Sequence, residues 1–233
     1  MEHDLAHSEE LVLALNDDET RETYKKLHDD YPCAPLPKFL GGFFVFAGNI
    51  VFGRNPSYLK FRAVEVIARV PYHSWDSAFF TLLTTSYRDA DKARELGRKM
   101  RFSRMAQDNE TMHVVIISEL SAKEESANYI IHTAIPMLFA FGYFWVSYFL
   151  YLTRPRYALE LNYLIECHAF AQYSLFLEQR GHELMHKPVD SAYLRWYGRN
   201  VTSQYELFRL IRNDELIHRN RSIEELNILE HKH

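Results

Sequence analysis

Two Glu-x-x-His motifs, one in each half of the chain, most constrain how it can fold. Glu110 and His113 belong to the first copy, at 108–113, and Glu215 and His218 belong to the second, at 213–218. Because positions three apart lie on the same face of an α-helix, each motif directs a carboxylate and an imidazole at one point. The two motifs therefore predict two helices that share a cluster of potential metal ligands.

Two more glutamates extend this ligand set. Glu65 lies in the helical pattern at 62–69 and Glu166 in the one at 163–169, so the order is Glu, Glu-x-x-His, Glu, Glu-x-x-His. This is the ligand set of di-iron carboxylate four-helix bundles, and hard oxygen donors with imidazole nitrogen suit iron. We therefore predict an all-α, ferritin-like di-iron four-helix bundle with additional apolar, membrane-associated helices. Two iron ions are expected to bind Glu65, Glu110, His113, Glu166, Glu215 and His218.

Two further Glu-x-x-His matches are attributed to chance. Glu183 and His186 lie in a loop-like stretch before Pro188, and Glu230 and His233 lie at the C-terminus, where a helix frays. A single match of this kind is weak evidence, since the chain has 12 histidines. The order of all four ligand positions, at distances that suit a helix and a loop, is what distinguishes the predicted site.

The predicted helices follow from the spacing of apolar residues. A short helix is predicted at 8–16, and Pro32, Pro35 and Pro37 then end any helix begun earlier. Residues 1–38 are predicted to form an N-terminal arm, and residues 39–233 the di-iron bundle with its membrane helices. The four ligand helices are expected at 58–87 with a kink or end at Pro71, and at 93–120, 157–179 and 201–225.

Two uncharged, apolar segments point to a membrane. Residues 39–53 are too few to span a bilayer as a helix, whereas residues 130–152 would form a helix of about 34 Å, close to the ~30 Å of a bilayer core. A helix crossing at 130–152 would place 93–120 and 157–179 on opposite sides, where they could not share one metal site. We therefore expect a monotopic protein whose apolar helices lie along one leaflet.

Charge and cysteine content exclude other classes of protein. The formal net charge of −4 gives no reason to expect nucleic-acid binding. Cys33 and Cys167 are the only cysteines, too few for a disulfide framework or a cysteine-rich metal site.

The residues around the ligands resemble the alternative oxidases, and within them the plastid terminal oxidase branch. The matching segments are FRAVEVIARVPY (61–72), NETMH (109–113), LYLTRPR (150–156), ECHAFAQY (166–173) and IRNDELIH (211–218). The resemblance implies a monotopic, non-haem di-iron oxidase that takes electrons from ubiquinol or plastoquinol and reduces O2. It also implies a homodimer, and the same six residues as iron ligands. The mitochondrial inner membrane, the thylakoid and a bacterial membrane all remain open as locations.

The same resemblance implies roles for residues beside the metal. Tyr173 matches the family's redox-active tyrosine. Three residues match positions that form hydrogen bonds around the ligands, namely Asn109, Asp214 and Trp196. Four match positions at the quinol pocket, namely Lys60, Arg62, Val64 and Ala169. The chain departs from the family at Lys60, where an arginine is common, and at Val66, where a threonine is usual.

Other readings of the same ligands stay open at this point. A di-iron oxygenase or desaturase acting on a lipophilic substrate would share the ligand set and differ in its pocket. Iron storage fits less well, because storage proteins do not need two long apolar segments flanked by basic residues. A purely structural membrane bundle fits least, because buried glutamates in four helices are costly unless they are paired or bound to metal.

Overall fold

The computed structural model describes residues 9–124 and 126–230, and within these ranges the fold is all-α with no β-strand. Residues 9–14 are helical. The helices that follow are α1 (Asp18–Lys26), α2 (Pro35–Phe52), α3 (Tyr58–Ala68), α4 (Val70–Ser86), α5 (Ala90–Glu124), α6 (Ile135–Thr153), α7 (Pro155–Met185), α8 (Ala192–Tyr197) and α9 (Gln204–Glu230). A π-helical turn, Ile130–Ala134, precedes α6. The all-α prediction is confirmed.

Prolines begin helices in this fold more often than they end them. Pro35, Pro71, Pro136 and Pro155 each lie in the first turn of a helix, where the missing N–H would have no partner. The predicted helix at 58–87 is therefore two helices, α3 and α4, which meet at Arg69.

In the N-terminal part of the chain, the structure differs from the sequence analysis at two predicted bounds and in one unpredicted helix. Helix α2 begins at Pro35, so the predicted boundary between residues 38 and 39 falls inside it. The predicted helix at 8–16 is seen at 9–14, and Ser8 lies outside the described residues. Helix α1 was not predicted. Asp17 caps it by accepting from the backbone N–H of Thr20 at 2.8 Å.

Helices α3, α5, α7 and α9 form a bundle with an apolar core on each side of a polar layer. The first core includes Phe61, Ile116, Phe176, Phe208 and Ile211. The second core includes Trp75, Met100, Phe102, Leu159 and Leu226. Helices α5, α7 and α9 each contribute residues to both cores. Helix α3 contributes to the first core, and α4, which follows it, contributes to the second. The packing on both sides therefore fixes which residues of each helix face the layer between them.

The N-terminal segment packs against this bundle. Val12 and Leu15 are fully buried in a third apolar cluster with Phe170, Leu210 and Leu216. Asn213 on α9 donates to the carbonyl of Val12 at 2.9 Å. Residues 9–15 are therefore attached to the two helices that carry Glu166, Glu215 and His218.

Helix α2 and residues 130–153 are long and apolar enough to cross a membrane, judged by length and composition. Only 11% and 22% of their apolar windows are buried in the protein. On their inner faces, Gly41 lies against Leu164 and the rings of Phe44 and Tyr143 are 4.7 Å apart. Their outer faces expose large apolar side chains, namely Leu36, Phe39, Phe43, Phe46, Ile50, Leu138, Phe141, Trp145 and Phe149.

Candidate metal centre

The structure brings the six predicted ligands together in the polar layer of the bundle, and all six are buried. Potential ligand atoms of Glu65, Glu110, His113 and Glu215 lie within 4.8 Å of one another, as do those of Glu110, Glu166, Glu215 and His218. Glu110 and Glu215 belong to both groups. The arrangement therefore suits two metal ions, with these two carboxylates between them.

Both imidazoles present Nδ1 to the cluster. His113 Nδ1 is 3.6 Å from Oε2 of Glu65, 3.6 Å from Oε2 of Glu110 and 3.3 Å from Oε1 of Glu215. His218 Nδ1 is 2.8 Å from Oε1 of Glu110. The i, i+3 spacing of each motif thus places carboxylate and imidazole where the sequence predicted.

Buried polar atoms without a hydrogen-bond partner test whether this site fits a metal. Within the described ranges, the six side chains contribute the following such atoms: Glu65 Oε2, both oxygens of Glu110, His113 Nδ1, Glu166 Oε2, both oxygens of Glu215, and His218 Nδ1. Buried polar atoms are ordinarily paired, because an unpaired one costs free energy. Carboxylate oxygens and imidazole nitrogens left free in this way fit two iron ions.

The pKa values of the ligand carboxyl groups show that the buried cluster is stabilised by bound positive charge. Burial raises the pKa of Glu65 to about 7, and burial together with Glu110 raises the pKa of Glu166 and of Glu215. Burial also opposes ionisation of Glu110, but the imidazoles of His113 and His218 outweigh it and lower the pKa of Glu110. Without a metal the cluster retains protons, and metal binding displaces them.

Asp214 orients His113 from behind, as the resemblance implies. His113 Nε2–H donates to Asp214 Oδ2 at 3.0 Å, which leaves Nδ1 free to face the cluster. Asn109 Nδ2 also donates to Asp214, at 3.3 Å. Burial opposes the charge on Asp214, but Arg199 lowers its pKa and keeps it ionised.

Arg199 is a buried residue of the site that the sequence did not reveal. Its guanidinium forms two hydrogen bonds with the carboxylate of Asp214, one of them from Nη2 to Oδ1 at 2.8 Å, and it also donates to Glu9 at 2.8 Å. Gly198, at φ 100°, ends α8 in the left-handed conformation and turns Arg199 inward. Arg199 follows a turn rather than lying on a helix face, so no helical spacing in the sequence indicates that its side chain is buried at the site.

Trp196 does not lie at the site, which corrects the prediction for this residue. Its side chain is 76% exposed, and its ring packs against Tyr193. Its neighbour Tyr197 points inward instead, and the hydroxyl of Tyr197 accepts from Asn109 Nδ2 at 3.3 Å. Helix α8 is a short helix whose inward face falls one residue later than the resemblance placed it.

Two buried tyrosines contact the ligands, and only one of them was predicted. Tyr173 donates to Oε1 of Glu65, and its ring stacks on Phe61 with a centroid separation of 4.1 Å. Tyr72 donates to Oε1 of Glu166 at 2.8 Å. The available signal for Tyr72 was its position seven residues after Glu65, which repeats the spacing of Glu166 and Tyr173. Pro71 predicts a kink or end between Glu65 and Tyr72, so the spacing alone did not indicate that Tyr72 lies at the site.

A cavity bounded by α2, α3, α6 and α7 reaches the metal cluster at Glu65 and Tyr173. Its walls are mostly apolar, and Val64 and Ala169 line it as expected. Lys60 also lines it and is buried, which lowers the pKa of its ammonium group. Lys60 donates to the Gln172 side chain at 2.8 Å, a contact that the sequence did not predict.

Arg62 lies outside this cavity, contrary to its predicted place beside Lys60. Arg62 lies about 200° around the helix axis from Lys60, so the two side chains leave the helix in nearly opposite directions. Arg62 instead donates to the hydroxyl of Thr133 in the π-helical turn, at 3.4 Å.

The two chance motifs take no part in the cluster as far as the structure describes them. Glu183 lies in the last turn of α7 rather than in a loop, and it pairs with Arg180 and Lys187 at the surface. His186 follows directly as the C-cap. Glu230 pairs with Arg156, and His233 lies outside the described residues.

A family model described as alternative oxidase matches residues 46–226. The chain is also 29% identical, over 145 residues, to ubiquinol oxidase 4, chloroplastic/chromoplastic, of Arabidopsis thaliana. That alignment covers 62% of this chain and 38% of the plant protein, so the chain matches well under half the length of this relative. No solved structure matches the chain.

Metal content tests the six-ligand centre. We expect two iron ions per wild-type chain, and Glu110→Ala and His218→Ala should each lose metal, because both side chains belong to the cluster. Iron is measured by elemental analysis of purified protein. Glu183→Ala and His186→Ala are matched controls, since they remove the same residue types from the surface end of α7, away from the metal cluster. Full iron content in Glu110→Ala or His218→Ala would contradict the assignment.

Proposed function

The chain belongs to the alternative oxidase family, and we propose that it is a quinol oxidase that reduces O2 to water at a di-iron centre. The overall reaction is two quinol plus O2 giving two quinone and two water. The observation that carries the proposal is an apolar cavity that ends on two buried residues of the metal cluster, Glu65 and Tyr173. A lipophilic two-electron donor bound there lies next to the ligands without entering water.

Glu65, Glu110, His113, Glu166, Glu215 and His218 would hold the two irons. Bound iron supplies the redox capacity for moving electrons from quinol to O2. The protein's own contribution is to keep these side chains oriented before metal binds. Glu65, Glu166 and His113 each have one polar atom fixed by Tyr173, Tyr72 or Asp214, and another directed at the cluster.

The cavity offers polar atoms for a quinol head group. Lys60 Nζ is held by Gln172 at 2.8 Å, by Asn49 at 3.2 Å and by the carbonyl of Arg54 at 3.0 Å. All three donors of the Lys60 ammonium have acceptors here, so a quinol oxygen would replace one of them, with the 3.2 Å bond to Asn49 being the longest. Val64 and Ala169 have small side chains and leave room for the ring.

Tyr173 lines this cavity and donates to the ligand Glu65, which supports a role for its phenol as a relay of an electron and a proton. The phenolic O–H donates to Glu65 Oε1, so the proton can be held at either oxygen, and bound iron would supply the oxidant for the phenol. A quinol hydroxyl in the cavity then returns a hydrogen atom to the phenolic oxygen. Stacking on Phe61 holds the ring in place for this exchange.

The membrane surface is the proposed location, with quinol entering from the bilayer. Helices α2 and α6 both line the cavity, and both expose apolar side chains on their outer faces. A crossing at α6 would separate α5 from α7, which share the metal cluster, so these helices are proposed to lie along one leaflet. A homodimer, implied by the family resemblance, belongs to the same proposal and can be measured by light scattering in detergent.

Quinol-dependent O2 uptake tests the function directly. Purified protein, with iron quantified on the same sample, should consume two quinol per O2 and yield no oxygenated product. The Glu110→Ala variant gives the background rate. A di-iron oxygenase or desaturase acting on a lipophilic substrate would instead modify that substrate, and O2 uptake independent of quinol would reject the oxidase.

Replacement of the Tyr173 phenol tests the relay. Tyr173→Phe should keep two irons but lose most turnover, because it removes only the hydroxyl that contacts Glu65. If Tyr173 merely packs, the change should cost about 0.5–1.5 kcal/mol of stability and leave O2 uptake intact. Tyr58→Phe is the matched control, since Tyr58 is also buried and donates one hydrogen bond, to Gln204, away from the ligands.

Labelling of sealed vesicles tests the monotopic arrangement. Asp108→Cys on α5 and Glu178→Cys on α7 both replace exposed residues, and are made in a Cys33→Ala, Cys167→Ala background. We expect a membrane-impermeant maleimide to reach both from the same side, since α5 and α7 contribute to one cluster. Labelling from opposite sides would show that the chain crosses the bilayer between them.

A further inference from the structure

Each of the two buried tyrosines of the centre donates a hydrogen bond to the glutamate of the other tyrosine's segment. Tyr72 follows Glu65 by seven residues, and Tyr173 follows Glu166 by seven residues. In the structure, however, Tyr173 donates to Glu65 and Tyr72 donates to Glu166, the latter at 2.8 Å. Each tyrosine therefore fixes the carboxylate carried by the other segment, and both hydroxyls are buried beside the ligands.

The hydrogen bonds around Tyr72 show that its hydroxyl is the donor in the bond to Glu166. Asn162 Nδ2 donates to the Tyr72 hydroxyl at 3.0 Å and to Ser222 Oγ at 2.9 Å, and Ser222 in turn donates to the carbonyl of His218 at 3.0 Å. Because the phenolic oxygen accepts from Asn162, its own proton is directed to Glu166 Oε1. This network links Glu166 to the helix that carries His218.

The two tyrosines differ in their access to the cavity. Tyr173 is among the described residues that line it, and Tyr72 is not. Tyr72 lies instead in the second apolar core, where its ring contacts Phe102 and the imidazole of His218, with centroids 6.1 Å and 5.2 Å away. A quinol in the cavity can meet Tyr173, whereas Tyr72 can act on the reaction only through Glu166.

We propose that Tyr72 is a positioning residue of the metal centre, which holds Glu166 Oε1 so that this ligand presents Oε2 alone to the metal. Oε2 of Glu166 is the oxygen without a hydrogen-bond partner in the described part of the chain. A carboxylate held in this way contributes one oxygen, whereas a free one can turn and contribute two. The inference rests on the proposed di-iron function and adds a division of roles, with Tyr173 on the substrate side and Tyr72 on the closed side.

Cobalt substitution of the full chain in detergent gives a readout other than turnover. The Tyr72→Phe variant should still bind two Co²⁺ per chain, but with a changed ligand-field spectrum, because Glu166 Oε1 becomes free to bind. Affinity for one of the two ions should fall by about 10–100-fold, as is typical when the partner of a metal ligand is removed. In the iron form, kcat should fall while KM for quinol stays the same, since Tyr72 does not contact the cavity.

Tyr58→Phe again serves as the control, because it removes one buried tyrosine hydrogen bond without touching a ligand. Its cobalt spectrum should match that of the wild type. If Tyr72→Phe also matches the wild type in spectrum and affinity, the proposal is overturned. Should Tyr72→Phe not fold, Asn162→Leu removes the donor that anchors the phenol, and an unchanged spectrum in that variant would overturn the proposal equally.

These outcomes separate the present inference from the proposed function. A wild type that takes up two Co²⁺ but whose iron form oxidises no quinol would reject the oxidase, and the cobalt spectra would still decide the role of Tyr72. An active wild type with an unaltered Tyr72→Phe spectrum would reject the role of Tyr72 alone.

Discussion

Four glutamates buried at one level of a helical bundle are the constraint on which the rest of this structure depends. Moving a carboxylate out of water costs on the order of several kcal/mol, and neighbouring negative charges add to that cost. Glu215 shows the problem most clearly, since neither of its carboxylate oxygens has a hydrogen-bond partner within residues 9–124 and 126–230, while Glu110 Oε1 lies 2.8 Å from Nδ1 of His218, a ligand of the same cluster. Metal ions bound between the helices would balance the negative charge of all four carboxylates at once. Bound protons balance that charge only in part.

Three of the other four ligands are held by hydrogen bonds from outside the cluster. Glu65 is fixed by Tyr173, Glu166 by Tyr72, and His113 by Asp214. The two carboxylates that belong to both ligand groups are therefore left to the metal, while the outer ligands are oriented by the protein. The ligands with outside hydrogen bonds are therefore oriented before metal binds, whereas Glu110 and Glu215 would be oriented by the metal itself.

The bracing of His113 reaches the surface of the protein. Arg199 bonds both Asp214 and Glu9, and Val12 and Leu15 bury the segment that carries Glu9 against α7 and α9. The N-terminal residues thus contribute to the orientation of a metal ligand, although they lie far from it in sequence. A division of the chain into an arm and a bundle, which remains a prediction, does not describe this contact.

The sequence predicted the ligand helices because both of its signals are local. Glu-x-x-His works through the i, i+3 geometry of a single helix, and the apolar spacing of each segment marks its buried face. What it missed depends on tertiary contacts: Arg199 follows a left-handed turn at Gly198, Tyr197 rather than Trp196 faces inward from a short helix, and Tyr72 lies just after Pro71. The break in the helix at 58–87 was predicted at Pro71 and lies at Arg69, because Pro71 belongs to the first turn of α4.

The centre is nearly symmetric in its ligands, yet the protein around it is not. Each half supplies a glutamate, a tyrosine seven residues later and a Glu-x-x-His motif, and the tyrosines exchange partners across the cluster. Among the described residues, Tyr173 lines the cavity and Tyr72 does not, and the cavity lies where α2 and α6 pack beside α3 and α7. The asymmetry needed to admit a lipophilic substrate from one direction therefore comes from the apolar helices rather than from the ligands. It follows that the cavity can vary in this fold without any change to the metal site.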